Sequence, residues 1–195
     1  MIPKAIKENH YIIVNYWVLC KLYYSLKKYL IPTLANLNNV KNINIFCSKL
    51  DSKTIENVKA VGTGLSCGID SFSTIYDHNK EECPNEYSIT HLTFFNVGSH
   101  GSHGGEKANK LFNERKRNVQ RCAHELGKDL VIVDSNISEI LKIPFPETHT
   151  LRSVSAALTL QKLFNIYYYS SAVHIKDFEL NEKSIGHFVF SAYPC

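Results

Sequence analysis

The sequence predicts an α/β protein with a doubly wound parallel sheet of five strands, helices on both faces of that sheet, and an N-terminal helical extension. Two observations support this fold class. β-prone apolar segments alternate with segments of helical periodicity from Val58 onward. One of these strands runs into a glycine-rich turn and then a helix. Such alternation is typical of parallel sheets with right-handed crossovers, and it predicts strands at 58–61, 89–97, 130–134, 166–169 and 188–190.

Residues 1–57 are expected to form the extension, and residues 58–195 the sheet domain. The apolar spacing over residues 1–32 predicts one amphipathic helix that starts near His10 and ends at Pro32. A short strand over Ile43 to Phe46 and a short helix over residues 51–58 would follow. Helices are then expected after the glycine-rich turn and over residues 106–126, 137–141 and 149–163, with Pro144 and Pro146 separating the last two.

An aromatic face on the predicted N-terminal helix would be large for a domain of this size to cover alone. It comprises Tyr16, Trp17, Tyr23, Tyr24 and Tyr29. Large exposed apolar patches usually mark contact surfaces. The chain is therefore expected to work as a homo-oligomer or as part of a longer protein. The opposing interpretation is that this helix packs on the sheet edge within one chain.

Composition narrows the function classes. The chain has 195 residues, 44% of them hydrophobic, and a net charge of +4. Its six cysteines contain no CxxC pair, so a zinc ribbon or a dithiol site is not favoured, and a reducing cytoplasm fits them best. Basic residues over 106–121 are mixed with glutamates and lack interleaved aromatics, so nucleic-acid binding is not favoured. No apolar run is long enough to span a membrane.

The stretch with the clearest chemistry is the turn after the strand at residues 58–61. It reads Gly62-Thr63-Gly64-Leu65-Ser66-Cys67-Gly68-Ile69-Asp70-Ser71. Free backbone N–H groups and the positive end of a helix dipole attract anions, and glycine lets a phosphate approach the backbone. The alternative is an ordinary strand-to-helix turn in which Ser66 or Asp70 caps the helix.

The segment Ser66-Cys67-Gly68-Ile69-Asp70-Ser71 resembles the Ser-Gly-Gly-x-Asp-Ser loop of the PP-loop ATP pyrophosphatases, in the adenine nucleotide α-hydrolase-like superfamily. A wider likeness is to a branch found among uncharacterised proteins of bacterial surface-polysaccharide clusters. That likeness comprises Ile31-Pro32, Val97 to His100, and His149 to Arg152. The resemblance implies a Rossmann-like (HUP) fold that binds ATP and Mg²⁺ and forms AMP and pyrophosphate. It implies activation of a carboxyl or carbonyl group for nitrogen transfer to an unknown acceptor.

Carried over by position, the resemblance implies catalytic roles for Asp70 and Ser71, with Asp70 orienting the loop or holding Mg²⁺ through water. Arg152, expected near the start of a helix, is a third catalytic candidate because a guanidinium can neutralise phosphate charge. The phosphates would contact Gly64, Ser66, Cys67, Gly68, Asp70 and Ser71. The base and ribose are expected against Phe95, Asn96, Val97 and Gly98, because a neighbouring strand ends there. Cys67 departs from the family's glycine, and a positive φ there would cost about 1–2 kcal/mol and weaken ATP binding.

Several alternatives remain open from the sequence. His100, His103 and Glu106 have a spacing that could bind a transition metal, although a polar loop facing a nucleotide is favoured. Asp134 could contact a ribose or a metal, or cap the next helix, and Arg152 could be a surface arginine at a helix end. A nucleophilic Cys67 is a minor alternative. A nucleotide-binding or sensing module without catalysis is the second function class, and an enzyme is favoured.

Overall fold

The structure is a computed structural model that describes residues 2–79, 81 and 83–170. Within these residues the chain divides into two compact units, residues 2–54 and residues 55–170. The predicted mixed α/β class with parallel strands is confirmed. The predicted five-stranded sheet is not, because the described strands form a sheet of four and a separate sheet of two. The strand predicted at Phe188–Phe190 lies outside the described residues, and the predicted domain limits stay a prediction.

The N-terminal unit contains a parallel pair of strands joined by a helical stretch. Its elements are α1 (Ile2–Lys7), β1 (Ile12–Leu19), α2 (Cys20–Ser25), a π turn (Leu26–Leu30), α3 (Ile31–Leu37) and β2 (Ile45–Asp51). Apolar side chains from the helices and from the start of β2 are buried, among them Ile6, Leu30, Ile31, Leu34 and Ile45. The Tyr23 hydroxyl donates to the Ile45 carbonyl at 3.4 Å, which connects α2 with β2.

The single helix predicted from His10 to Pro32 is wrong. Its first part is β1, in which β-branched Ile12, Ile13 and Val14 lead the strand and suit a pleated backbone better than a helix. Tyr16 and Trp17 consequently lie on a strand rather than on a helix face. The predicted short helix over residues 51–58 is also wrong, because residues 52–59 form an irregular connection.

Pro32 does not end the helical stretch, which continues from Cys20 to Leu37. The turn before it is a π turn, in which the N–H of Ile31 reaches the carbonyl of Leu26. Proline lacks the N–H that an α-helix needs, and both prolines and π turns are known causes of irregularity within a helix. Ile31 and Leu34, on either side of Pro32, are both buried.

The second unit contains the four-stranded sheet. Its strands are β3 (Ala60–Gly64), β4 (His91–Asn96), β5 (Asp129–Asp134) and β6 (Phe164–Tyr168), all parallel, in the order β5-β4-β3-β6. Its helices are α4 (Ile69–Asp77), α5 (Glu106–Glu125), α6 (Ile137–Leu141) and α7 (Phe145–Thr159). Most of these elements match the predicted ones. The last helix begins four residues before the predicted His149. Pro144 is at its cap position and Pro146 lies within its first turn, where a missing N–H costs little, so Pro146 does not break the helix as predicted.

The core of this unit lies between one face of the sheet and helices α4 and α5. Leu92 and Phe94 of β4 are buried against Ile75 of α4 and against Phe112 and Val119 of α5. The rings of Phe94 and Phe112 stack with centroids 5.4 Å apart. In the described part of the chain, no helix has both the length and the apolar character needed to cross a membrane.

Candidate functional site

The carboxyl ends of the four parallel strands lie at one edge of the sheet. Gly64, the last residue of β3, pairs in register with Thr93 of β4, so β4 extends beyond β3 by several residues. The N–H of Leu65 donates to the Thr93 carbonyl at 2.8 Å and continues the ladder past β3. At the far side, Asn96 pairs with Asp134 of β5. The predicted phosphate loop and the predicted base-binding segment therefore follow adjacent strands at the same edge.

The loop before α4 is held by its own hydroxyl groups. The Ser71 hydroxyl is buried and donates to the Gly68 carbonyl at 2.8 Å. Ser66 Oγ accepts the Gly68 N–H at 3.3 Å and lies 3.4 Å from Ser71 Oγ. These bonds brace the turn and leave Ser66, Gly68 and Asp70 at the surface.

Among the described residues no side chain caps α4, so the predicted capping by Ser66 or Asp70 is wrong. Gly68 is the residue at the cap position, and its carbonyl accepts the first helical hydrogen bond, from the N–H of Phe72, at 3.2 Å. The N–H groups of Ile69, Asp70 and Ser71 therefore have no acceptor within the helix. Such groups, together with the helix dipole, form an arrangement that suits an anion. The exposed carboxylate of Asp70, in the first turn, could hold a hydrated cation beside that anion.

Cys67 adopts the left-handed conformation, with φ of 58°. The sequence analysis predicted that this conformation would cost conformational free energy, because a Cβ crowds the backbone at positive φ. Gly68, by contrast, has φ of −94° and does not use glycine's freedom. The residue that departs from the Ser-Gly-Gly-x-Asp-Ser pattern is thus the one whose backbone favours glycine.

The surroundings of the Cys67 thiol raise its pKa and therefore do not favour an activated nucleophile. Burial of the sulfur raises its pKa, and the neighbouring Cys122 thiol raises the pKa further, although the residue as a whole is exposed. A raised pKa keeps the group in its thiol form near neutral pH, and the thiolate is the reactive species. The minor alternative of a nucleophilic Cys67 therefore loses support.

Replacing Cys67 with glycine should stabilise the protein by roughly 0.5–1 kcal/mol, because the relief of left-handed strain exceeds the added entropy of the unfolded chain. Urea unfolding of the purified variant measures this change. Cys67→Ala is the matched control, since alanine removes the thiol and keeps the strain. Equal stabilisation by alanine would mean that the sulfur, and not the backbone, is the source of the cost.

The predicted base-binding segment after β4 is largely buried. Asn96 Nδ2 donates to Asp134 Oδ1 at 2.7 Å, and Val97 is only 4% exposed. Phe95 is half-buried and stacks on Tyr167 with ring centroids 6.1 Å apart. Gly98 has φ of 123°, a conformation that L side chains rarely adopt. Of these four positions, Phe95 is the one that keeps a partly exposed side chain at the sheet edge.

Asp134 does not cap the next helix. The cap position of α6 is Asn136, without a side-chain bond, and the Ile137 N–H instead reaches Ser135 Oγ at 3.2 Å. The carboxylate of Asp134 is engaged with Asn96 across the two strand ends. Its predicted contact with a ribose or a metal stays a prediction.

His100 lies in the core and not on an open loop. Its ring packs against Phe94 and Phe112 with centroids 5.2 Å away in both cases, and Nδ1 lies 3.2 Å from Ser99 Oγ. Burial lowers its pKa, as does the charge of Arg115, while Asp134 opposes the shift. In the described residues no group of three or more metal-binding side chains occurs, so the metal interpretation of His100, His103 and Glu106 loses support.

Arg152 lies in the middle of α7 and is only 3% exposed, so it is not a surface arginine at a helix end. Its Nη1 donates to the Val97 carbonyl at 3.2 Å and to Ser138 Oγ at 3.1 Å, and its Nη2 donates to the Ile143 carbonyl at 2.6 Å. Burial lowers its pKa. The guanidinium connects the β4–α5 loop, α6 and the α6–α7 turn. Its Nε and the Thr148 hydroxyl are buried and have no hydrogen-bond partner among the described residues.

Tyr167 is the site-forming residue that the sequence analysis missed. Its ring stacks on Phe95, and its hydroxyl forms a hydrogen bond with the Thr93 hydroxyl. The same hydroxyl would be 3.7 Å from a Cβ at Gly64. Burial raises the pKa of its hydroxyl. Nothing in the β6 sequence distinguishes Tyr167 from its tyrosine neighbours, because only strand pairing brings it beside β3 and β4.

Comparisons with known proteins add no assignment: no family model matches the chain, and no curated protein or solved structure matches it significantly.

Proposed function

We propose that this chain binds Mg²⁺-ATP at the carboxyl edge of the four-stranded sheet, with the phosphates on residues 66–71. The observation that carries the proposal is the uncapped start of α4 beside a loop of hydroxyl groups. The N–H groups of residues 69–71 have no acceptor within the helix, the Ser66 hydroxyl lies in the same turn, and the helix dipole favours negative charge at this point. The resemblance of Ser66 to Ser71 to the PP-loop agrees with this chemistry.

The strand order supports a doubly wound sheet with a nucleotide crevice. From β3 the chain moves outward through β4 to β5, and it then returns to add β6 on the other side of β3. In doubly wound sheets, ligands bind at the point where the order reverses, outside the carboxyl ends of the strands. Here that point is between β3 and β6, next to the loop that ends in Ser71. The Thr74 hydroxyl of α4 lies 2.8 Å from the hydroxyl of Ser170, which follows β6. The helix after β3 therefore contacts the end of β6.

We further propose that the reaction is AMP-forming activation of a carboxyl or carbonyl group for nitrogen transfer, in the service of surface-polysaccharide modification. The backbone N–H groups of residues 69–71 would bind the leaving pyrophosphate, whose negative charge increases during the reaction. Ser71, bonded to the Gly68 carbonyl, would keep the turn in shape, and Ser66 would donate to a phosphate oxygen. A single carboxylate such as Asp70 suits Mg²⁺, because substrate phosphates and water supply the other ligands of this ion in nucleotide sites. The bound ion would neutralise phosphate charge.

A second candidate function is a nucleotide-binding module without turnover. Two observations favour it: Cys67 is held in the left-handed conformation within the loop, and Arg152 is buried on neutral acceptors away from solvent. Measurement of pyrophosphate released from ATP, alone and with carboxylate acceptors plus ammonia, separates the two functions. ATP binding without release under all conditions would favour the module.

Asp70→Asn tests the site itself. With Mg²⁺ present, the variant should bind ATP at least about tenfold more weakly, because an amide is a poor ligand for a hard cation. Without Mg²⁺, it should bind ATP as well as the wild type or better, since a negative charge near the phosphates is removed. Titration calorimetry with and without Mg²⁺ measures whether the substitution weakens ATP binding only when the metal ion is present. Asp77→Asn, at the other end of α4, is the control, and an equal loss in both variants would overturn the proposal.

A further inference from the structure

Two side chains of α7 combine almost complete burial with an unused hydrogen-bonding atom. Thr148 is 4% exposed and Arg152 is 3% exposed. The Thr148 hydroxyl and Arg152 Nε have no hydrogen-bond partner among the described residues. Buried polar groups are nearly always hydrogen-bonded, and an unpaired one lowers the stability of the fold. Both atoms therefore need a partner that the described residues do not supply.

The two atoms belong to the same face of α7. Thr148 precedes Arg152 by four residues, and residues at this spacing are neighbours on a helix surface. Long side chains on a helix extend toward its N-terminus. Arg152 does so, because its Nη2 reaches the carbonyl of Ile143, which precedes the start of α7. The side chain of Arg152 consequently runs along the helix past Thr148, which brings Nε toward the threonine hydroxyl.

The guanidinium of Arg152 also lacks a counter-charge. Its hydrogen bonds go to neutral acceptors, namely two backbone carbonyls and the Ser138 hydroxyl. Within the part of the chain that the structure describes, no carboxylate forms an ion pair with it. Burial lowers the pKa of the group, but an arginine side chain remains protonated in proteins. A buried positive charge is costly unless an anion pairs with it.

We propose that Arg152 Nε and the Thr148 hydroxyl bind a small monovalent anion, for which chloride is the probe and the abundant example. The ion would accept a hydrogen bond from each group and would neutralise the guanidinium, so one ligand meets both needs. A water molecule would satisfy the hydrogen bonds but would leave the charge uncompensated.

The surroundings of the guanidinium favour a small ion over a phosphate or a carboxylate-bearing molecule. Thr148 and Arg152 are both almost fully buried. A Cβ at Gly98 would lie 2.6 Å from Arg152 Nη1, so that side of the guanidinium has no room even for a methyl group. The site is separate from the proposed ATP site, whose phosphates would lie on residues 66–71, and it does not depend on ATP binding.

A bound anion would strengthen the connection between three segments of the second unit. Arg152 joins α7 to the Val97 carbonyl just after β4 and to Ser138 of α6. A ligand that binds only the folded state stabilises it, and the stabilisation increases with the logarithm of the ligand concentration above the dissociation constant. The stability of the protein should therefore depend on the chloride concentration.

Urea unfolding with chloride exchanged for gluconate at constant ionic strength measures this dependence. The unfolding midpoint of the wild type should rise as chloride replaces gluconate, because gluconate is too large for so closed a site. Bromide should act as chloride does. In crystals of the protein soaked in bromide, anomalous scattering should place the ion beside Arg152 Nε and the Thr148 hydroxyl.

Thr148→Val tests the site without removing the guanidinium. Valine keeps the shape of threonine but not its hydroxyl, so the variant should bind chloride about tenfold more weakly. In gluconate it should be no less stable than the wild type, because valine removes a buried hydroxyl that has no partner. Thr150→Val is the control: Thr150 is also buried on α7 but lies on a different face of the helix, so this variant should keep the chloride dependence.

Two results would overturn the proposal. The first is a wild-type midpoint that is the same in chloride and in gluconate, or that responds as strongly in Thr148→Val, which would indicate a general salt effect. The second is an ordered water at Arg152 Nε without a bromide signal, which would mean that water alone satisfies the two groups. Neither result would bear on ATP binding, so this proposal and the proposed function fail separately.

Discussion

Replacing Arg152 with methionine should lower the free energy of unfolding by about 2–4 kcal/mol. Methionine fills a similar volume but cannot donate hydrogen bonds. The carbonyls of Val97 and Ile143 and the Ser138 hydroxyl would lose their buried donor. The charge itself is not the source of the stability, because burial lowers the pKa of the guanidinium and therefore disfavours its charged form. Denaturant unfolding of the variant and the wild type measures the loss.

Two further variants complete this test. Arg152→Lys should be destabilising by a similar amount, since an ammonium group cannot reach acceptors on three segments as the planar fork does. Arg121→Met should change stability by no more than about 0.5 kcal/mol, because its ion pair with Glu125 is on the surface. If Arg152→Lys were as stable as the wild type and yet released no pyrophosphate, the bracing role would be contradicted and the predicted catalytic role favoured.

Gly98→Ala should be among the most damaging single changes in the chain, with a loss of about 3–5 kcal/mol. A Cβ at this position would lie 2.6 Å from Arg152 Nη1, 2.8 Å from the Phe145 ring and 3.0 Å from Ser138 Oγ. Arg152 and Ser138 are joined by a hydrogen bond and the Phe145 ring lies against the guanidinium, so these neighbours cannot move apart cheaply. The positive φ of Gly98 adds backbone strain for any L residue.

Gly105→Ala separates the two causes. Gly105 also has a positive φ, 87°, but a Cβ there would meet nothing within 4 Å. The loss should therefore be about 1–2 kcal/mol, from backbone strain alone. Thermal unfolding of both variants gives the comparison. Equal losses at the two glycines would mean that the crowding around Arg152 contributes nothing.

Much of the second unit could be predicted because its signals are local. Helix α5 was expected over residues 106–126 and occupies Glu106–Glu125, since its apolar spacing and the glycine after it lie within the segment itself. The segment Leu130 to Asp134 is similarly a short apolar run that ends in a carboxylate. Periodicity and end signals need no information from distant residues, so they predict such elements well.

The N-terminal unit was mispredicted because its strands depend on distant partners. The apolar residues from Ile12 to Val18 are compatible with either a helix face or a strand. They become β1 by pairing with β2, whose first residue, Ile45, is the partner of Ile12. A bulge between Val14 and Trp17 further disturbs the alternation that would reveal a strand. Pairing between strands so far apart in the chain depends on the tertiary structure, and a short stretch of sequence does not predict it.

At the candidate site, the sequence by itself determined the order of strand, loop and helix, because glycines, hydroxyls and the apolar spacing of α4 lie within a few residues of one another. The strand was expected over residues 58–61 with the turn from Gly62, whereas β3 occupies Ala60–Gly64, because Gly62 to Gly64 pair with β4. Only the tertiary structure decided the rest. The left-handed backbone of Cys67, the burial of Arg152 on three separate segments and the stacking of Tyr167 on Phe95 all follow from how distant elements pack. The residue type determines the chemistry of a side chain, but the segments that surround it determine its exposure and its partners.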